Sequence, residues 1–202
     1  GSSIEGRLLI DGNPVAHKPI AISPRIGMSS STQINTDENG RFRFYGLQAN
    51  KQYVLFTPCD WSQLAESITK EETDSFVLKS RTITTNGSGE TTQLGDLPLE
   101  PGHTVRGQMI LPNDSADFAN IKVVLWRDPA WDWIDVPVTA DGKFELASVP
   151  SEVYTVSVRS AKYEIDGTKL KYQVFGPSSF GIRLKSENAA TSIAIPLRLV
   201  TE

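Results

Sequence analysis

An internal repeat of about 100 residues limits this chain of 202 residues to a small set of folds. The segment Ile4–Leu9 recurs as Val105–Ile110, so that Gly6 and Gly107 are 101 positions apart. Later landmarks keep the same order and nearly the same spacing. The paired landmarks are Gly6 and Gly107, Phe42 and Phe144, Leu47 and Val149, Tyr53 and Tyr154, and Leu99 and Leu197.

Within each copy the residue pattern has a period of two. Apolar and polar side chains alternate in Arg41–Phe44 and in Tyr154–Val158. Such alternation places one face of a strand on a core and the other in water. The sequence therefore predicts half-buried β-strands in both copies.

Turn residues precede the alternating segments. Asp37–Gly40 and Ala140–Gly142 supply the positive-φ residues of tight turns, and Gly87–Gly89 is typical of a hairpin tip. We expect β-hairpins at these sites. The only helix predicted is one or two turns over Trp61–Ser67, beginning near Asp60.

Together these patterns predict an all-β protein of two tandem antiparallel, Ig-like sandwiches with about seven strands each. We expect domains at 1–100 and 101–202, joined by a short linker at Glu100–Gly102.

The first copy also carries a set of motifs that resembles a known family. Gly12–Val15 reads Gly-x-Pro-Val, Thr36–Phe42 reads Thr-Asp-x-x-Gly-x-Phe, and Gly46–Leu47 precedes a strand opening at Tyr53. This pattern is similar to carboxypeptidase regulatory-like domains of transthyretin-like fold. The second copy departs from it, since Leu111–Asp114 replaces the Gly-x-Pro-Val element.

The resemblance implies a mostly non-catalytic module of a secreted, periplasmic or surface protein. Its shared residues are turn glycines and core aromatics, which specify a fold more than a function.

Composition argues against several other classes. A net charge of −4 with no basic stripe argues against nucleic-acid binding, and apolar runs such as Val123–Trp126 are too short to span a membrane. The single cysteine, Cys59, has no disulfide partner in the chain and is expected to be a small buried side chain.

No catalytic or metal motif emerges. The two histidines, His17 and His103, fall in different copies, so a paired-histidine iron site cannot form, and neither of them begins a His-x-x-Glu zinc motif. Both are expected at the surface. We therefore expect no enzyme activity, no metal and no cofactor; a metal-free hydrolase would lack a nucleophile and base pair.

Particular residues raise two structural alternatives. The Asp37–Asn39 turn has oxygen ligands for calcium, but an Asx turn explains it better because the remaining loop spacing is missing. An isopeptide cross-link needs a first-strand lysine and a last-strand asparagine, whereas the first strands carry Arg7 and Gln108.

The segment Trp126–Asp135 contains three of the four tryptophans. Flat aromatics beside carboxylates suit sugar rings, so Trp131, Trp133, Asp132 and Asp135 are candidate ligand-binding residues. The alternative is packing, with Trp126 in the core and Trp131 and Trp133 at the domain junction.

The sequence thus predicts a non-catalytic extracytoplasmic module with a structural, adhesion or spacer role in a larger protein. The alternative is a carbohydrate-binding accessory module that uses Trp131–Asp135. We expect a monomer with a protein or carbohydrate partner, without nucleic acid and without a membrane span.

Overall fold

The computed structural model describes residues 1–25, 31–58, 75–112, 118–127, 132–185, 188 and 190–200. The predicted helical turns at Trp61–Ser67, Cys59 and Trp131 lie outside these residues, as does the side chain of Asp132. The described residues form strands, turns and loops, with no α-helix among them, so the predicted all-β class is confirmed.

The described residues form eighteen strands. In chain order they are β1 Ser2–Ile10, β2 Asn13–Pro14, β3 Pro19–Pro24, β4 Thr32–Asn35, β5 Arg41–Leu47, β6 Gln52–Phe56, β7 Phe76–Val77, β8 Arg81–Thr84, β9 Thr91–Pro98, β10 Glu100–Pro101, β11 His103–Ile110, β12 Lys122–Arg127, β13 Asp132–Val136, β14 Lys143–Val149, β15 Val153–Arg159, β16 Tyr163–Ile165, β17 Ser179–Arg183 and β18 Ala190–Leu199.

The chain divides into two compact units, with the division along the backbone between Pro101 and Gly102. In the first unit one sheet has β1 between β5 and β9, with β2 also paired to β1, and the other has the order β4-β3-β6-β8. In the second unit the corresponding sheets are β14-β11-β18-β16 and β13-β12-β15-β17. Glu100–Pro101, predicted as linker, instead pairs with Phe76–Val77.

Each unit has its core between its two sheets. In the first unit Ile4 and Leu8 of β1 share a buried cluster with Ile20 and Ile22 of β3. The second unit repeats the arrangement, with Val105 and Met109 of β11 clustered with Val123 and Leu125 of β12. Burial on one side of each strand follows from the alternating sequence pattern.

The repeated glycines have a steric role. Gly6 lies opposite Phe42, and Gly107 lies opposite Phe144, across the first antiparallel ladder of each unit. A Cβ on Gly107 would come within 1.9 Å of the Phe144 Cζ atom, and one on Gly6 within 2.9 Å of the Phe42 Cζ atom. The phenyl ring occupies the space that a side chain at either glycine would need.

The two tight turns have the predicted conformation but not the predicted connection. Gly40 and Gly142 adopt φ of 70° and 78°, and the Asp37 carboxylate accepts the N–H groups of Asn39 and Arg41 at 2.9 and 2.7 Å. This is the expected Asx turn. However, β4 pairs with β3, whereas β5 pairs with β1, so the turn joins two sheets and the hairpin prediction was wrong.

The same correction applies to Ala140–Gly142, which joins β13 to β14 of the other sheet, and to Gly87–Gly89 between β8 and β9. A second correction concerns strand direction. The first strand and the last long strand of each unit pair in parallel, β1 with β9 and β11 with β18, within sheets predicted to be antiparallel.

Candidate functional site

Two of the predicted binding residues lie on the outer face of the sheet β13-β12-β15-β17. Ile134 and Val136 of β13 join the core, so the residues that alternate with them, Trp133 and Asp135, face outward. Trp133 is 59% exposed, and Asp135 is also exposed. Trp133 therefore lies outside the core of the second unit.

Strand register places Trp133 in a row with other outward residues. Trp133 lies opposite Trp126, Trp126 lies opposite Thr155, and Thr155 lies opposite Gly181. The next row runs from Asp135 through Val124 and Ser157 to Ser179. We call this surface the Trp133 face; its outward residues in the described part are Lys122, Val124, Trp126, Trp133, Asp135, Val153, Thr155, Ser157, Arg159, Ser179, Gly181 and Arg183.

Trp126 is half-buried and belongs to this face, so its predicted place in the core was wrong. Val123 and Leu125 take the core positions, and Trp126 follows the opposite phase with Val124. Because Val124 is also buried, the apolar run Val123–Trp126 conceals which side of the strand faces the core.

An aromatic ring also lies at the other end of the Trp133 row. A Cβ added to Gly181 would lie 2.9 Å from ring atoms of Phe175, so this ring covers the glycine, and Phe175 remains 53% exposed. Trp133 and Phe175 are thus separated by three strand spacings, about 14 Å in total. Hydroxyl side chains Thr155 and Ser157 lie on the strand between them.

The Trp133 face is cationic although the chain is acidic. It carries Lys122, Arg159 and Arg183 against one carboxylate, Asp135, among the described residues, whereas the whole chain has a net charge of −4. The guanidinium carbon of Arg159 lies 4.7 Å from the Trp133 ring centre. This cation–π contact holds the arginine beside the tryptophan.

Lys122 and Arg159 are directly opposite each other on neighbouring strands. Like charges in this position repel. Within the described residues neither Lys122 nor Asp135 has an ion pair or side-chain hydrogen bond, and Arg159 has only its contact with Trp133. The face therefore presents charges to solvent.

A groove adjoins this charged end of the face. It has a volume of about 450 Å³ and is lined by residues that include Phe118, Ile121, Lys122, Asp135, Val138 and Thr139. Lys122 and Asp135 belong to both the groove and the face. The size is within the range of small-molecule sites.

The equivalent face of the first unit has a different character. There Ala21, Val54 and Phe56 form a small cluster that is 0–2% exposed. By strand register, Thr155 occupies the place of Val54, and Ser157 that of Phe56. The second unit has hydroxyls where the first has buried apolar side chains, which distinguishes the Trp133 face from a closed packing surface.

The first unit has a polar ladder across its terminal strands. The side chains of Ser3 and Thr91 share a hydrogen bond of 2.8 Å, and Gln93 donates to Glu5 at 2.6 Å. Arg7 donates twice to Asp96, at 2.8 and 2.7 Å. These bonds lower the pKa of Asp96 and raise that of Arg7.

In the second unit, Gln108 takes the first-strand position at which an isopeptide cross-link would need a lysine. Its side-chain amide donates hydrogen bonds to the carbonyls of Met109 and Asp141, both at 2.9 Å. The Arg7–Asp96 pair in the first unit is likewise non-covalent. Among the described residues no group of three or more His, Cys, Asp or Glu side chains is arranged to hold a metal ion.

The histidine prediction was right for one residue and wrong for the other. His17 is exposed, with its Nε2 atom 3.1 Å from Glu38. His103 is only 1% exposed, and its Nε2 atom lies 2.8 Å from the Thr191 hydroxyl. His103 begins β11 and takes the position that the buried Ser2 has in β1. Comparison of the two copies in the sequence did not show that this position is buried.

Burial of His103 predicts a pH-dependent stability. Burial lowers the pKa of His103 below its usual 6.5, and the backbone of Asn188 opposes part of this shift. The native state therefore binds the proton less readily than the unfolded state, and its stability falls as the pH drops below about 6.5. We expect the free energy of unfolding, measured in urea between pH 7.5 and 5, to decline in the native chain.

The variant His103→Gln should remove most of this decline, whatever its effect on stability at neutral pH. The pKa of Asp141 is held near 2 by bonds from Lys143 and Thr139, so that carboxylate does not titrate in this window. An unchanged slope in the variant would contradict the assignment.

Comparison with known proteins gives no family. No protein-family model and no curated protein matches the chain. Among solved structures, the minor pilin of Streptococcus agalactiae aligns over 100% of this chain and 98% of its own, with 9% identity and a TM-score of 0.44. The major pilin subunit of Bacillus cereus aligns over 98% and 99%, with 8% identity and a TM-score of 0.35.

The Bacillus anthracis TIE protein shares 16% identity over 98% of this chain, with a TM-score of 0.35, and the chain spans 34% of that protein's length. With all three TM-scores below 0.5, the assignment to the all-β class comes from the strands themselves. No helix in the described part of the chain has the length and apolar character needed to cross a membrane.

Proposed function

We propose that the chain is a non-catalytic, load-bearing spacer and adhesion module of a larger extracytoplasmic protein, built as two tandem sandwich domains near 1–100 and 101–202. The single observation that supports this role is the parallel pairing of the first strand with the last long strand in each unit, β1 with β9 and β11 with β18. We also propose that the two units are repeats of a carboxypeptidase regulatory-like domain.

Parallel terminal strands resist tension by their geometry. A force that pulls the N-terminal end of β1 away from the C-terminal end of β9 slides one strand along the other. All inter-strand bonds from Ser3–Thr91 to Leu9–Pro98 are then loaded together. Opening an antiparallel hairpin from its ends would instead break its bonds one after another.

The polar ladder of the first unit strengthens the same strand pair. Three successive outward side chains of β1, Ser3, Glu5 and Arg7, bond to β9. In the second unit the exposed Arg106 bonds instead to Glu145 of β14, at 2.6 Å, and does not cross the terminal pair. The Arg7–Asp96 ion pair therefore crosses the terminal strand pair that bears the force, and the Arg106–Glu145 ion pair, which does not, is its matched control.

Single-molecule pulling tests this function. Pulled through its two ends, the first unit should unfold at a higher force than when the handles are attached at the N-terminus and at Ser88→Cys, where β1 and β9 unzip. The only natural cysteine is replaced for this purpose by Cys59→Ser. Equal forces in the two directions would rule out the load-bearing role.

The variant Arg7→Gln should lower the end-to-end unfolding force of the first unit, because it removes two bonds that cross the loaded pair. Arg106→Gln should leave the unfolding force of the second unit nearly unchanged. Equal losses in the two variants would show that the position of the ion pair relative to the terminal strands does not matter.

A second function, carbohydrate binding, is favoured by the Trp133 face. Its exposed tryptophan, adjacent hydroxyls and neighbouring groove match the requirements for stacking on a sugar ring and bonding to its hydroxyls. A glycan array with the native chain and the variants Trp131→Ala and Trp133→Ala tests it. Binding that survives both replacements would exclude this face.

A further inference from the structure

We propose that the Trp133 face binds an acidic saccharide, one whose rings carry carboxylates. This inference rests on the second proposed function, carbohydrate binding, and adds the charge class of the ligand. It follows from the positive charge of the face. The aromatic and acidic residues of Trp126–Asp135 alone did not indicate this charge.

The charge of the Trp133 face favours an anionic ligand. Lys122, Arg159 and Arg183 outnumber the lone carboxylate of Asp135 on the described part of this face. The cross-strand neighbours Lys122 and Arg159 repel each other unless an anion lies between them. A carboxylate bound there would relieve this repulsion and form charge-assisted hydrogen bonds with both groups.

The position of the Trp133 ring beside Arg159 favours a ligand that joins a carboxylate to a sugar ring. Arg159 lies against the Trp133 ring, so a carboxylate bound at the guanidinium brings the rest of its sugar close to the exposed tryptophan. The apolar C–H face of a pyranose ring can pack there while its hydroxyls reach Asp135 and the groove.

The length of the row from Trp133 to Phe175 favours an oligosaccharide. The row from Trp133 to Phe175 covers about 14 Å, which exceeds one sugar ring and suits an oligosaccharide. Thr155 lies between the two aromatic ends and supplies a hydroxyl at the level of the row. An acidic peptide would use the same cations but would not need both aromatic ends, so we favour the saccharide.

The test uses the full chain and an oligogalacturonate, with the fully methyl-esterified oligomer as a matched neutral ligand. Isothermal titration calorimetry gives the affinity, and tryptophan fluorescence reports contact with the face. We expect the ester to bind at least about tenfold more weakly than the acid, since it cannot form ion pairs. Raising the salt concentration should weaken binding of the acid by screening.

Among the variants, Lys122→Gln and Arg159→Gln should each weaken binding of the acid by about fivefold or more, and Trp133→Ala should weaken both ligands. Lys51→Gln, which removes an exposed cation from the first unit, is the matched control and should have no effect. Circular dichroism verifies that each variant is folded.

The possible results separate the two proposals. Equal binding of acid and ester, abolished by Trp133→Ala, would overturn the acidic specificity but keep the carbohydrate-binding function. Failure of both oligomers to bind would overturn this inference, as would binding of polyglutamate but not of the oligogalacturonate. Loss of the acid's affinity in Lys51→Gln would show nonspecific attraction and also overturn it.

Discussion

Replacing Glu152 with alanine is expected to lower the free energy of unfolding of the second unit by about 1.5 to 3 kcal/mol, the usual cost of losing a hydrogen bond to a charged group. Glu152 Oε2 lies 2.5 Å from Nη1 of Arg127, and the Arg127 side chain is only 1% exposed. The variant would leave a buried guanidinium without this carboxylate. Urea unfolding followed by tryptophan fluorescence reports on the second unit, since three of the four tryptophans lie between residues 126 and 133.

The exposed pair Arg106–Glu145 is the matched control. Both of its side chains are more than half exposed, at 56% and 55%, so Glu145→Ala should cost less than about 1 kcal/mol. Replacing both partners, the buried Arg127 by Met and Glu152 by Leu, should restore most of the lost stability because the guanidinium is no longer buried there. Equal costs for Glu152→Ala and Glu145→Ala would contradict the importance of burial.

Sequence reasoning predicted the local conformations of this fold better than its strand pairing. The turn at Asp37–Gly40 was identified because a positive φ and an Asx bond depend on a few adjacent residues. Its connection between two sheets was missed because strand partners are chosen by contacts far apart in sequence. The parallel pairing of β1 with β9 joins residues such as Ser3 and Thr91, 88 positions apart, and left no local pattern.

The candidate site was predicted in part for a similar reason. Trp133 and Asp135 stood out in the sequence as an aromatic residue and an acid in one short segment, and the structure places both on one exposed surface. Arg159 and Lys122 were not found because only strand register brings them beside Trp133 and beside each other. The buried position of His103 was missed because a polar residue at the start of a strand is usually exposed.

The repeated glycine in the first strand predicts the second large effect. Gly107→Ala should destabilise the second unit by about 3 kcal/mol, at the upper end of the usual cost of overpacking a core. The new Cβ would overlap the ring of Phe144, which is 5% exposed and cannot move toward solvent without leaving the core. Urea unfolding followed by tryptophan fluorescence measures the loss.

The first unit supplies a graded comparison. Gly6→Ala should cost less, about 1 kcal/mol, because its Cβ would be 2.9 Å from the Phe42 ring instead of 1.9 Å from that of Phe144. Circular dichroism is the better readout for this unit, because three of the four tryptophans of the chain lie between residues 126 and 133.

A double-mutant cycle identifies the cause of the larger loss. Phe144→Leu alone should be destabilising, but in the Gly107→Ala background it should cost much less, because leucine leaves room for the added methyl group. The two replacements should therefore be non-additive by at least about 1 kcal/mol. Additive losses would mean that the cost of the added methyl group does not come from the space taken by Phe144, and the steric explanation of Gly107 would fail.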